Sequence, residues 1–116
     1  MSSLLYNDRP FGYGAIMYNG SSSSISNCYP FFASQSNLLT LTSISGSVAG
    51  TISMNDIDEY WTVMPGHKII LYADTAYGGA IIFTGDNTNG NVPVNYPIPS
   101  PNNASSIMLF FNGTQL

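Results

Sequence analysis

Charged side chains are scarce in this chain of 116 residues. They make up 7% of the sequence, against roughly 25% in ordinary soluble proteins. The two basic residues, Arg9 and Lys68, cannot neutralise a row of phosphates, so we exclude nucleic acid as a partner. A surface rich in uncharged polar residues has little self-repulsion, which favours self-association into coats or arrays.

Cysteine and histidine each occur once, as Cys28 and His67. A single cysteine excludes an intramolecular disulfide. A single histidine gives no support to a zinc cluster or to Ser-His-Asp or Cys-His catalysis. We therefore expect a buried thiol at Cys28, an ordinary turn residue at His67 and no enzymatic activity.

Long hydrophobic runs are also missing. No apolar run approaches the roughly 20 residues of a membrane-spanning helix, so we expect no membrane insertion. The opening MSSLLYNDRP has neither the basic nor the apolar region of a signal peptide. The compartment stays open among the cytoplasm, an assembled coat or particle, and non-classical export. With 44% hydrophobic residues, residues 1–116 should fold as one domain.

An internal repeat is the main pattern that is present. Residues 4–20, LLYNDRPFGYGAIMYNG, are similar to the stretch 68–85, KIILYADTAYGGAIIFTG; Tyr6 aligns with Tyr72, and the first copy has one extra residue after Gly12. Asp8 and Asp74 occupy equivalent positions. In both copies an apolar run leads through an aspartate, an aromatic residue and glycines into a second apolar run. Because glycine supplies the positive φ of tight turns, we predict a β-hairpin from each copy.

The remaining segments also favour strands. Residues 38–48 alternate apolar and hydroxylated side chains, which predicts a strand with one wet face. Residues 60–64 and 107–111 predict two further strands. Residues 92–101 contain four prolines, which exclude a central strand or a helix there. Short strands separated by Pro/Gly turns, with no helical period, predict an all-β, antiparallel Greek-key β-sandwich.

Each half of the chain resembles a Greek-key motif of the βγ-crystallin superfamily, above all its microbial calcium-binding members. Tyr72-x4-Tyr77-x-Gly79 resembles the family's aromatic-aromatic-glycine hairpin signature. Asn103-Ala-Ser105-Ser106-Ile107 is similar to the end of its (N/D)(N/D)xx(S/T)S calcium loop. The resemblance implies two motifs in a single domain, at 1–64 and 65–116, with a long insertion in the first motif at about 20–53.

The same resemblance implies two calcium sites, each pairing the loop of one motif with the hairpin of the other. One would combine residues 55–59 with the Asp74 hairpin, and the other would combine residues 102–105 with the Asp8 hairpin. Calcium takes six to eight oxygen ligands, and among the acidic residues only Asp86 lies outside these regions. The implied metal-site residues are Asp8, Asn55, Asp56, Asp58, Glu59, Asp74, Asn102, Asn103 and Ser105.

Turns provide a competing explanation, because Asp, Asn and Ser also satisfy backbone groups in ordinary loops. The resemblance implies a non-catalytic calcium-binding protein of the stress, coat or matrix type, with modest affinity. Two alternatives stay open. One is a metal-independent assembly subunit, such as a coat, virion-surface or adhesion module. The other is a protein-binding inhibitor or toxin that uses the 20–53 insertion.

Overall fold

The computed structural model describes residues 5–6, 9–10, 12–19, 28–38, 59–98 and 104–116. The regular elements of these residues are ten β-strands. In chain order they are β1 (Leu5–Tyr6), β2 (Arg9–Pro10), β3 (Ala15–Asn19), β4 (Cys28–Phe31), β5 (Glu59–Val63), β6 (His67–Tyr72), β7 (Ile81–Asp86), β8 (Val94–Ile98), β9 (Ser106–Phe111) and β10 (Thr114–Gln115).

The strands form two four-stranded antiparallel sheets. The β3 sheet has the order β4-β3-β5-β8, and the β6 sheet has the order β10-β9-β6-β7. Strands β1 and β2 pair only with each other among the described strands. The predicted all-β class with antiparallel sheets is confirmed. The strands expected at 60–64 and 107–111 correspond to β5 and β9, whereas the strand expected at 38–48 lies outside the described residues apart from Leu38.

Each sheet receives a segment from the other half of the chain. Strand β8 follows β7 in sequence but pairs with β5, for example Trp61 with Tyr96. In the reverse direction, Gln35 follows β4 and forms an isolated antiparallel bridge to Ile107 in β9. The two sheets are therefore linked by chain crossings as well as by packing.

The second copy of the sequence repeat forms the predicted hairpin. Strands β6 and β7 pair in antiparallel register, with Leu71 opposite Phe83 and Ile69 opposite Gly85. A β-bulge between Leu71 and Tyr72 shifts the register near the turn. The glycine and aromatic pattern of 68–85 was thus a sound guide to local structure.

The first copy folds differently. Leu5 pairs with Pro10 in a short separate ladder, and β3 lies between β4 and β5. Both ladder sides of β3 are used by these neighbours, so no side is left for β1. The hairpin partner of β3 is Cys28–Phe31, which falls within the predicted 20–53 insertion.

Proline marks two of the sheet edges. Pro30 lies in β4 opposite Ile16, and Pro97 lies in β8 opposite Tyr60. In the described part of the sheet both strands lie at an edge, where a missing N–H need not interrupt a ladder. Among the described strands β8 lies at a sheet edge, which agrees with the prediction of no central strand at 92–101; residues 99–101 lie outside the described ranges.

The main hydrophobic core lies between the two sheets. Trp61 is fully buried and stacks on Phe31 with ring centroids 5.3 Å apart. A smaller buried cluster contains Ile16, Tyr18 and Cys28, so the expectation of a buried Cys28 is confirmed. The main cluster comprises Ala15, Met17, Tyr29, Phe31, Leu38, Trp61, Val63, Ile69, Leu71, Ala104, Ile107 and Leu109.

A buried asparagine joins the ends of both sheets. The Asn87 side chain donates hydrogen bonds from Nδ2 to the carbonyls of Val63 and Val92, at 3.0 and 2.9 Å. Its backbone N–H donates to His67 and its carbonyl accepts from Gly66, both at 2.9 Å. Because Val63 ends β5 and His67 begins β6, Asn87 fixes the crossing between the sheets.

Candidate functional site

The most distinctive local structure is the turn that joins β6 to β7, residues 73–80. Ala73 N–H donates to Ala80 O at 2.9 Å, and Asp74 N–H donates to Gly78 O at 3.0 Å. Ala76 and Tyr77 have φ of 56° and 60°, a left-handed conformation that is uncommon for residues other than glycine. The chain is therefore folded tightly on itself here, and we call residues 73–80 the folded turn.

A buried serine from β9 holds the folded turn. Ser106 Oγ donates to the carbonyl of Asp74 at 2.6 Å and accepts from Tyr77 N–H at 3.0 Å. Ser106 is completely buried. One hydroxyl thus satisfies a donor and an acceptor that the folded turn does not pair internally. Above it, the Tyr72 and Tyr77 rings meet edge to face with centroids 6.2 Å apart.

Two further segments converge on this turn. Ser105 N–H donates to Tyr72 O at 2.7 Å, and Ser105 O accepts from Leu38 N–H at 2.9 Å. Ala76 N–H donates to Ser36 O at 2.8 Å. The candidate site therefore consists of the folded turn, residues 36–38 and the pair Ser105–Ser106.

Two predicted metal ligands have described side chains, Asp74 and Ser105. Asp74 is exposed, and its carboxylate lies over Gly79, where an added Cβ would come within 2.7 Å of Oδ2. Ser105 is 8% exposed. The structure brings these two residues together, since both lie where β9 meets the folded turn. For Glu59 the structure gives the backbone, in β5; the other predicted ligands lie outside the described residues: Asp8, Asn55, Asp56, Asp58, Asn102 and Asn103.

Ser106 is the site residue that the sequence reasoning missed. The loop pattern contains Ser106 as its last serine but predicts no role for it. The available signal was its place at the first position of a β-strand, directly after Ser105. A small hydroxyl at a strand start, next to a turn with orphan backbone groups, is suited to bonding that turn.

The oxygen donors of the described site suit calcium in kind but not in number. Asp74 supplies one carboxylate and the folded turn supplies backbone carbonyls, whereas calcium requires six to eight oxygens. Within the described residues there is no group of three or more His, Cys, Asp or Glu side chains that could hold a metal. The predicted pairing of loops with hairpins across the two motifs stays a prediction, because most of its residues lie outside the described ranges.

Asp86 has a local structural role. Thr88 donates to Asp86 Oδ1 from its hydroxyl at 2.6 Å and from its backbone N–H at 3.0 Å. These two hydrogen bonds, with a smaller contribution from the charge of Lys68, lower the pKa of Asp86 below its ordinary value of 3.8. The carboxylate therefore holds the turn after β7, consistent with its place outside the predicted calcium loops.

His67 is fixed by packing at the start of β6. Its Nδ1 lies 3.0 Å from Pro65 O, and its ring lies 4.8 Å from that of Phe111. On another side it meets the backbone of Gly14, which has no room for a side chain there. The histidine is thus part of the contact between the β3 sheet and the β6 sheet.

Comparisons with protein-family models, with curated proteins and with solved structures each gave no significant match. In the described ranges of the chain, no helix is long and apolar enough to cross a membrane.

Proposed function

We propose that this chain is a non-catalytic calcium-binding protein with a structural or protective role and a βγ-crystallin-like Greek-key fold. The observation that carries the proposal is the hydrogen bonding of Ser106 to Asp74 and Tyr77. It joins the hairpin signature at 72–79 to the serine pair of the calcium-loop pattern. These are the two segments on which the sequence resemblance depends.

The strand order supports the Greek-key part of the proposal. In a Greek key, three consecutive strands are connected as hairpins and a fourth returns to lie beside the first. Strand β3 pairs with β4, the next described strand, and β5 lies on its other side. Strand β6 pairs with β7, and β9 lies on its other side, whereas β8 joins the β3 sheet. Among the described strands, each half thus has the first hairpin and the returning strand of this arrangement.

Calcium at such a site would connect chain segments that are distant in sequence. Asp74 and the carbonyls of the folded turn would supply part of the ligand set, and the acidic residues of the 55–59 loop would complete it. Charge neutralisation by the cation would favour this assembly of carboxylates. At a concentration of one hundred times the dissociation constant, a ligand that binds only the folded state adds about 2.7 kcal/mol of stability.

Thermal unfolding tests the proposal. The purified protein is heated with excess calcium, with a chelator, and with magnesium as a control. Magnesium is smaller, requires octahedral geometry and usually keeps several of its water ligands. For a domain of this size, 1 kcal/mol moves the midpoint by about 4 °C. We expect calcium alone to raise the midpoint by several degrees. An unchanged midpoint at millimolar calcium would contradict calcium binding.

Matched aspartate variants then locate the site. Asp74→Asn and Glu59→Ala should reduce the calcium-dependent rise of the midpoint, because each removes a carboxylate from the proposed ligand set. Asp86→Asn is the control, since Asp86 is equally exposed but bonds Thr88 instead. A calcium response lost in Asp86→Asn and retained in the other two would refute the assignment.

A further inference from the structure

Among the described strands, the four at the outer edges of the two sheets differ in how well they are protected from pairing with another strand. Strands β4 and β8 carry Pro30 and Pro97, and β10 has two residues. Proline, shortness and charge are the usual means by which proteins prevent edge strands from pairing with other chains. Strand β7 has six residues and no proline, and in the described part of the chain it pairs with β6 alone.

The hydrogen-bond pattern shows which backbone groups of β7 face the open edge. Asn87 N–H donates to His67 O at 2.9 Å, so the backbone N–H and C=O groups of Asn87, the residue after β7, point toward β6. Direction alternates along an antiparallel strand. The backbone N–H and C=O groups of Gly85 and Phe83 therefore also point toward β6. These two residues lie opposite Ile69 and Leu71.

The N–H and C=O groups of Thr84 and Asp86 consequently point away from β6. Both residues are exposed. Thr84 N–H has no role in the β6 ladder, and in the described part of the chain it is open to water or to another chain. A strand that pairs here must present the backbone N–H and C=O groups of two residues that are also two positions apart and that point toward β7.

We propose that β7 is a self-association edge, at which two copies of this chain pair through antiparallel β7 strands. A symmetric dimer places the same segment on both sides of a two-fold axis. With the axis at Gly85, Thr84 of each copy lies opposite Asp86 of the other. All the edge-facing groups of both residues are then hydrogen-bonded in two reciprocal pairs.

Charge selects this register over its neighbours. An axis at Asp86 would bring two carboxylates directly opposite each other, which destabilises a cross-strand pair. An axis at Thr84 would place Asp86 opposite Ile82, the extra residue of the β-bulge, where the regular alternation of the ladder groups is disrupted. In the proposed register the two Asp86 side chains are separated and each faces a neutral hydroxyl, and Gly85 at the axis has no side chain to clash. The low charge of the whole chain, 7%, adds little repulsion between copies.

The test is the dimer dissociation constant by sedimentation equilibrium over a wide concentration range, in chelator and in calcium. The pairing uses no metal, so we expect a dimer in both. In Thr84→Glu each introduced carboxylate opposes Asp86 of the other copy, and the two contacts should weaken the dimer about tenfold. In Thr84→Lys each introduced amine opposes Asp86, and the dimer should tighten. Thr114→Glu, an exposed threonine on β10, is the matched control and should leave the dimer unchanged.

Amide hydrogen exchange supplies an independent measurement. Thr84 and Asp86 amides should become protected as concentration rises through the dimer range. A protein that stays monomeric, whether or not these amides are protected, overturns the proposal. A dimer that Thr84→Glu and Thr84→Lys both weaken overturns the Gly85 register, and a dimer that neither variant affects overturns the β7 edge.

Discussion

Ser106 Oγ lies 2.6 Å from the carbonyl oxygen of Asp74 and donates a hydrogen bond to it. The two residues are far apart in sequence, and one is buried while the other is exposed. The hydroxyl accepts from Tyr77 N–H as well, so one side chain replaces two bonds that the folded turn cannot make internally. Strand β9 therefore determines the conformation of the β6–β7 turn.

Removing this hydroxyl should destabilise the protein. Ser106→Ala leaves a donor and an acceptor of the folded turn without their buried partner, which costs about 1–3 kcal/mol. The free energy of unfolding from urea denaturation measures the loss. Ser36→Ala is the matched control, because Ser36 is exposed and bonds Ala76 through its backbone carbonyl. Equal stability of the two variants would contradict the role of Ser106.

Substitutions at Gly14 and His67 should have non-additive effects on the free energy of unfolding, because the two residues are in contact. A Cβ at Gly14 would lie 2.8 Å from His67 Nε2 and 3.1 Å from Leu109 Cδ2. Gly14→Ala should therefore destabilise the protein by about 1–3 kcal/mol through overpacking. His67→Ala removes the nearer obstacle, so the double variant should lose less than the sum of the two single losses. If urea denaturation gave additive losses of unfolding free energy, the His67 ring would not be what limits the space for a Cβ at Gly14.

Asp86 should contribute a pH-dependent stabilisation. Its pKa is lowered in the folded state from an ordinary value of 3.8, so the folded protein binds a proton less readily than the unfolded chain. The contribution is complete above about pH 3.8 and is lost as the pH falls through the lower folded pKa. The stability difference between the wild type and Asp86→Asn should shrink over that range. Urea denaturation from neutral pH down to acid pH measures it, and a difference that is constant with pH would contradict the prediction.

The sequence was informative where a short segment decides its own structure. The short, mainly apolar runs at 107–111 and 60–64 predicted β9 and β5, and the glycine turn of 68–85 predicted the β6–β7 hairpin. The prolines of 92–101 predicted that no central strand lies there, because proline removes a ladder donor whatever its surroundings. Burial of Cys28 followed from its residue type.

The sequence was misleading where the structure of a segment depends on which strand it pairs with. The first copy of the repeat has the same local pattern as the second, yet β3 pairs with Cys28–Phe31 rather than with Leu5–Tyr6. A period-2 pattern predicts that a strand has a buried and an exposed face, but it does not predict which strands pair with it. Those are set by how the whole set of strands satisfies its backbone and buries its side chains.

The same division holds for the candidate site. The aspartate-bearing turn and the serine pair at 105–106 are visible in the residue order, and they predict a polar, oxygen-rich loop region. Only the tertiary structure decided that Ser106 faces the folded turn and that Ser105 joins residues 36–38 to it. The physical reason is that the orphan backbone groups of the turn arise from its fold. The residue that satisfies them is found by proximity in space, which the sequence by itself does not contain.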